Sequence, residues 1–171
     1  MDLILKNCVL SKFGDDISTD NIIQENKYGA SFKPEDLARI CMRDIDPEFP
    51  RRMAPGGFMV AGKNFGCGSS REGAPISLKA AGVQAIVAEE FARIFYRNAL
   101  NVCLPVIECA GAAAAIDLGD ALEIDLSSGA IRNNTKGSVL SGIPIPGFLL
   151  EMMKAGGLIA FLKRQLSSTT L

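Results

Sequence analysis

From Phe58 to Glu108 the chain twice follows a short apolar stretch with a helical pattern, and that alternation constrains its fold more than any other feature. FMVAG opens as a buried strand, NFGCGSSREGAP passes through glycines, and the chain continues as a helix that stops at Gly82. VQAIVAEE is then a β-branched strand, FARIFYRNALNV carries apolar residues at helical spacing, and LPVIE is the next strand. Successive strand–helix–strand units make the class α/β, with helices laid against a sheet.

The flanks add an antiparallel component. LILKNCVL reads as a strand, and FGDDISTDNII as a polar surface loop that turns before another apolar run. Pro34 to Met42 is a short amphipathic helix, with Pro at its first position, acids in its first turn and Leu37, Ile40 and Cys41 on one face. DPEFPRRMAPGG is a Pro- and Gly-rich connection. Beyond Glu108, ECAGAAAAIDLGD reads as a short helix joining two strands, and DALEIDLSSGAIRN as a hairpin around its Ser-Ser-Gly turn. FLLEMMKAGGLIAFL is a terminal helix interrupted at Gly156 and Gly157. A chain of 171 residues with 48% hydrophobic content fills one core, so residues 1–171 read as a single domain.

Several functions are excluded by composition. The 18 basic and 19 acidic residues form no long run of one sign, which leaves no nucleic-acid footprint. Neither a signal peptide nor a segment of bilayer length is present, so no membrane partner is expected and the protein reads as cytoplasmic. Cys8, Cys41, Cys67, Cys103 and Cys109 are odd in number and scattered, without a CxxC pair, and read as reduced thiols rather than a disulfide framework or a metal site. There is no histidine, which removes the commonest general base and zinc ligand.

The stretch that carries chemistry is Asn64 to Pro75, placed where a strand meets a helix start. Unpartnered N–H groups and the helix dipole favour an anion there. Gly66 and Gly68 let the backbone approach a ligand, while Ser69, Ser70 and Arg71 offer hydroxyls and a planar cation for a carboxylate or phosphate. Locally, the same stretch also reads as a tight turn with Ser70 capping a helix. A dinucleotide fingerprint fails because Arg71 stands where the third glycine belongs. A serine hydrolase lacks its histidine, and Lys63 and Lys79 have no distinctive placement as substitutes.

FGCGSSRE followed by EEFARIFYRNALNVCLPVIE, in order with GDDISTDNII, VAGKNFG and FLLEMMKAGGLIAFLK, resembles the isopropylmalate dehydratase small subunits and the swivelling domain of aconitase over nearly the whole chain. The resemblance implies a small barrel-like mixed sheet flanked by helices, and a partner large subunit that holds an iron–sulfur cluster through three cysteines. This chain is then expected to bind no cofactor or metal of its own. In the family the cluster's open iron polarises the departing hydroxyl, and a serine of the GSSR stretch takes a proton from the neighbouring carbon. Ser69 is the matching residue. Ser70 and Arg71, with Gly68 beside them, match the grip on a substrate carboxylate, and Asp20 matches an acid of the active-site network. Read locally, Asp20 is also an Asx turn or a helix cap. A serine base needs its alkoxide stabilised by N–H groups and positive charge, which the helix start and Arg71 supply.

The implied reaction is the isomerisation of 2-isopropylmalate to 3-isopropylmalate by dehydration and rehydration in leucine biosynthesis, with a small dicarboxylate as substrate. Dehydratases of dimethylmalate, citramalate or homoaconitate carry related motifs, and a non-catalytic carboxylate-binding module would need only the same anion loop. Two positions depart from the family pattern. Gly73 stands where many relatives have histidine, at a cost of about 0.5–1 kcal/mol to a helix relative to Ala. Tyr28, Gly29, Ala30 and Ser31 form a small neutral loop where tricarboxylate-processing relatives place an arginine. An alkyl group fits such a loop and a third carboxylate finds no cation there, although small residues of this kind also make a plain flexible turn.

Overall fold

In a computed structural model that describes residues 3–24 and 33–168, seven strands form one mixed sheet. They are β1 (Ile4–Lys12), β2 (Gly57–Ala61), β3 (Val83–Ala88), β4 (Val106–Glu108), β5 (Ala121–Asp125), β6 (Ala130–Asn133) and β7 (Ser138–Ser141), in the order β4-β3-β2-β1-β5-β6-β7. β1 to β4 pair in parallel, whereas β5 pairs antiparallel with β1, β6 with β5, and β7 with β6. β1 therefore joins a parallel half to an antiparallel meander, and the sheet curls into the half-barrel that the family resemblance implied.

The two halves differ in burial because they are covered differently. Every residue of β2 is buried, and all of β3 but Gln84, as in a parallel strand with cover on both faces. β5 instead alternates, burying Leu122 and Ile124 and turning its other residues outward. The helices among the described residues are α1 (Thr19–Ile22), α2 (Pro34–Ile40), α3 (Phe49–Met53), α4 (Gly73–Ala80), α5 (Arg93–Asn101), α6 (Ala112–Ala115), α7 (Gly147–Lys154) and α8 (Leu158–Ser168). Both predicted crossovers are present, α4 between β2 and β3 and α5 between β3 and β4.

Four local outcomes differ from the sequence reading. The connection before β2 contains α3, a helical turn whose Phe49 and Met53 are completely buried, so apolar spacing outweighs its proline content. The loop before Ile22 holds α1, closed by a capping box in which Ser18 and Asn21 satisfy each other's backbone. A further strand, β7, follows the predicted hairpin; its Ser, Val and Leu side chains are mostly exposed and carry no burial signal. The helix of the first crossover begins only at Gly73, which leaves Ser69, Ser70 and Arg71 in the preceding loop. The terminal helix breaks at the predicted place, with Gly156 and Gly157 at φ +97° and +107° between α7 and α8.

The part of the core that bears on the site is aromatic. Phe65 meets Phe91 and Phe95 edge-on, with ring centroids 5.9 and 5.2 Å apart, and all three rings are buried. This cluster lies under the loop that leaves β2 and under the start of α5.

Candidate active site

The loops that follow the parallel strands gather at the strands' carboxyl ends, the usual ligand edge of such a sheet. The loop after β2 is clamped from both sides. Phe65 N–H donates to Glu90 at 3.0 Å, and Ala92 N–H returns the bond to Phe65 at 2.9 Å. On the other side Gly66 N–H donates to Ile17 at 2.7 Å, and Thr19 N–H to Cys67 at 2.8 Å. Asp15 accepts from Lys63 N–H at 2.7 Å, and Asp16 from the Asn64 side chain at 2.8 Å. The Gly-Asp-Asp-Ile-Ser-Thr-Asp run near the start of the chain thus buttresses the Gly-Ser-Ser-Arg loop, although the two are far apart in sequence.

That buttress reaches the predicted site residues directly. The Thr19 hydroxyl donates to the Ser69 carbonyl at 2.9 Å, and an Asp20 carboxylate oxygen lies 2.6 Å from Arg71 Nη2. Arg71 is half-buried, with 31% of its side chain exposed. Asp20 is therefore an ion-pair partner of the arginine, and the capping role in α1 falls to Ser18. Ser69 and Ser70 are exposed at the surface of the loop. Ser70 caps no helix, since the residue before α4 is Glu72, and no side chain caps that helix.

Gly66 lines the cleft described below, and the reason for a glycine there is packing: a Cβ would come within 2.2 Å of the Phe95 ring. Gly68 has open space, its nearest neighbour being the Thr19 hydroxyl at 3.6 Å, and its φ of +91° still favours glycine.

A cleft of about 210 Å³ opens between this loop and the first turn of α5. Thr19, Gly68, Ser69, Ser70 and Arg71 line one wall, and Arg93, Ile94, Phe95 and Asn98 the other. The helix start that faces the cleft is thus that of α5, where Ala92 offers no side-chain cap. Sequence reasoning singled out neither Thr19 nor Arg93 and Asn98. The signal was available in the topology: both crossover helices begin at the same sheet edge, so their first residues converge there. Tyr28, Gly29, Ala30 and Ser31 lie outside the described residues.

An iron–sulfur cluster does not fit this chain's own residues. The cysteines are free and sit on different elements, and among the described residues no three metal-binding side chains cluster. Thiolates are the ligands such a cluster needs, and burial pushes the thiols of Cys41, Cys103 and Cys109 up, Cys41 to about 12.

Residues 11–110 match the family of the aconitase C-terminal domain. The small subunit of an isopropylmalate/citramalate isomerase from Methanocaldococcus jannaschii is 49% identical over 158 residues, covering 92% of this chain and 94% of that protein. A 3-isopropylmalate dehydratase small subunit from Lachnoclostridium phytofermentans is 52% identical over 160 residues, 94% of this chain and 96% of its own length. The crystal structure of a 3-isopropylmalate dehydratase from Methanocaldococcus jannaschii superposes with a TM-score of 0.87 at 43% identity, covering 97% of this chain and 98% of that one. A half-barrel sheet that offers a Gly-Ser-Ser-Arg loop at its parallel edge, with a carboxylate pairing the arginine, is an aconitase-type domain. The chain belongs to the aconitase family, on the branch of the 3-isopropylmalate dehydratase small subunits.

Proposed function

We propose that this single-domain chain is the small subunit of a cytoplasmic hydro-lyase that interconverts 2-isopropylmalate and 3-isopropylmalate by dehydration and rehydration in leucine biosynthesis. The observation that carries this reading is the Asp20–Arg71 pair beside Ser69 and Ser70, in a chain whose relatives carry that enzyme's name. The pair holds the guanidinium at the cleft wall and leaves part of its fork for a substrate carboxylate. Ser70 adds a hydroxyl to the same carboxylate, and Gly68 keeps that wall free of a Cβ.

Ser69 is assigned the proton transfer at carbon. In this chain alone its hydroxyl is exposed to water, where an alkoxide finds too little stabilisation to act as a base. A large subunit that covers the cleft would exclude that water and strengthen the attraction of the alkoxide to Arg71 and to the N–H groups at the start of α5. The same partner is assigned the iron–sulfur cluster. The five free cysteines suit a reducing compartment. Tyr28 to Ser31 are assigned the substrate's side group on their neutral composition, which favours an alkyl substituent over a third carboxylate. A smaller alkylmalate is the second reading, since one relative is named for citramalate as well.

The test uses the enzyme assembled with its large subunit. Ser69→Ala is expected to lower kcat by about 10²–10⁴ with little change in KM, as for loss of a proton-transferring group. Arg71→Lys keeps the charge and loses the fork, and is expected to raise KM about tenfold. Near-wild-type kinetics in both variants would remove the loop from the active site and leave a carboxylate-binding module as the better reading.

A further inference from the structure

A lone exposed isoleucine is ordinary on a protein surface, but Ile94 stands at the mouth of the cleft. It is the second residue of α5, lines the cleft wall and is 54% exposed. The exposed residues of α5 are Arg93, Ile94 and Arg97, so the outward face of the helix is one branched apolar side chain between two guanidinium groups, and α5 itself holds no acid. Glu108, half-buried at the end of β4, lines a hollow with Arg93, Tyr96 and Arg97 and offsets part of their charge. The face is presented stiffly. Ala92 N–H is bonded to the Phe65 carbonyl at 2.9 Å, and Phe95, next to Ile94, is buried in the aromatic cluster, so little is left to order when a partner arrives. A second apolar face, with Ile159 and Leu162 of α8 exposed, lies at the opposite end of α5 from the cleft, where Gly157 packs against the Asn101 carbonyl.

We propose that this face of α5 is the docking surface for the large subunit, with Ile94 as its apolar anchor and Arg93 and Arg97 as flanking cations. This rests on the functional reading above and adds to it the place where the partner closes on the cleft. The complementary surface is an apolar socket edged by carboxylates, because guanidinium groups taken out of water beside a buried isoleucine need anions. A second copy of this chain does not fit, since a two-fold pairing of the face sets arginines against arginines. Ile94 and Ser69 line facing walls of the same cleft, so a partner seated on Ile94 also covers the serine that has to be kept from water.

The test is association of the full chain with the iron–sulfur-loaded large subunit, followed by sedimentation at low and high salt. Wild-type association is expected to weaken as salt is raised. Ile94→Asp is expected to weaken it by about tenfold or more and Ile94→Val by little, as for the centre of an interface. Arg97→Glu is expected to weaken it by about tenfold, most of all at low salt. Ile159→Asp, which puts the same charge on an exposed isoleucine of α8, is expected to leave it unchanged. Urea midpoints of the isolated variants should stay at the wild-type value, because these side chains are exposed; should Ile94→Asp lower its midpoint, Arg97→Glu decides alone. Wild-type affinity in either Ile94→Asp or Arg97→Glu, or a loss in Ile159→Asp as large as theirs, overturns the assignment. Turnover of isopropylmalate by the wild-type complex is measured separately. A complex that depends on Ile94 and Arg97 but turns nothing over sinks the functional reading alone, turnover with an association indifferent to both residues sinks only this inference, and a large subunit that does not associate at all sinks both.

Discussion

Gly66 and Gly68 both take positive φ, +80° and +91°, yet only Gly66 has an atom in the way of a side chain. Gly66→Ala meets the Phe95 ring as well as the left-handed backbone penalty and is expected to cost about 2–5 kcal/mol. Gly68→Ala meets only the backbone penalty, about 1–2 kcal/mol. Urea unfolding of the two variants measures the difference, and equal losses would mean that the aromatic cluster does not hold the loop. From sequence the two glycines were indistinguishable, because a ring that arrives from α5 leaves no trace in the motif. Ser69, Ser70 and Arg71 stood out on local chemistry and Asp20 only through the family resemblance, and the structure sets Asp20 against Arg71; Arg93, which also lines the cleft, did not stand out, since an arginine on an exposed helix face is ordinarily just solvated. The proposed role of Tyr28 to Ser31 in substrate choice is tested at this scale. If Tyr28 to Ser31 face the substrate, Ala30→Arg is expected to shift the specificity ratio from isopropylmalate towards homoaconitate by about tenfold, roughly 1.4 kcal/mol. An unchanged ratio of specificity constants would take the loop out of substrate selection.

At the scale of elements, the antiparallel half of the sheet was legible where turn chemistry marks it. Asp125 accepts from the Ser127 and Ser128 hydroxyls at 2.7 and 2.8 Å and from Ser127 N–H at 2.9 Å, closing the β5–β6 turn that Ser-Ser-Gly announced. β7 escaped because an exposed edge strand has no burial pattern to read, and α3 because Pro47, Pro50 and Pro55 resemble a linker although Phe49 and Met53 anchor it. The turn has a testable acid signature. The Ser127 and Ser128 hydroxyls, then Ser127 N–H, hold the Asp125 carboxyl down at about 2, below the usual carboxylate range. A depressed folded-state value means that the stabilisation is fully present above about pH 4 and is lost as pH falls towards 2. Asp125→Ala is therefore expected to be less stable than wild type at pH 7, by about 1 kcal/mol or less because the group is partly exposed. The deficit should shrink between pH 4 and pH 2. Chemical denaturation at pH 7, 4 and 2 measures it, and a deficit constant across that range would mean that the carboxylate contributes nothing as a charge.

For the molecule as a whole, the proposed function makes this chain half of an active site. β1 joins a parallel half, which carries the cleft at its edge, to an antiparallel half that braces it, while the cleft itself stays open with both serine hydroxyls in water. Nothing in that geometry makes a serine basic, because a neutral hydroxyl surrounded by water gains little from nearby N–H groups and a guanidinium whose charge Asp20 already offsets. Nor do the cysteines form a ligand set: they occupy different elements, and burial keeps the Cys41 thiol protonated, at about 12. The purified chain is accordingly expected to carry no stoichiometric iron and to show no turnover of isopropylmalate. Titrating in an iron–sulfur-loaded large subunit should then bring activity that saturates at a fixed subunit ratio. Iron analysis of the isolated chain and an activity titration against partner concentration are the two measurements. A chain that binds iron in stoichiometric amount by itself, or that turns over substrate without its partner, would overturn the division of labour, since the cleft would then have to be completed by residues of this chain alone.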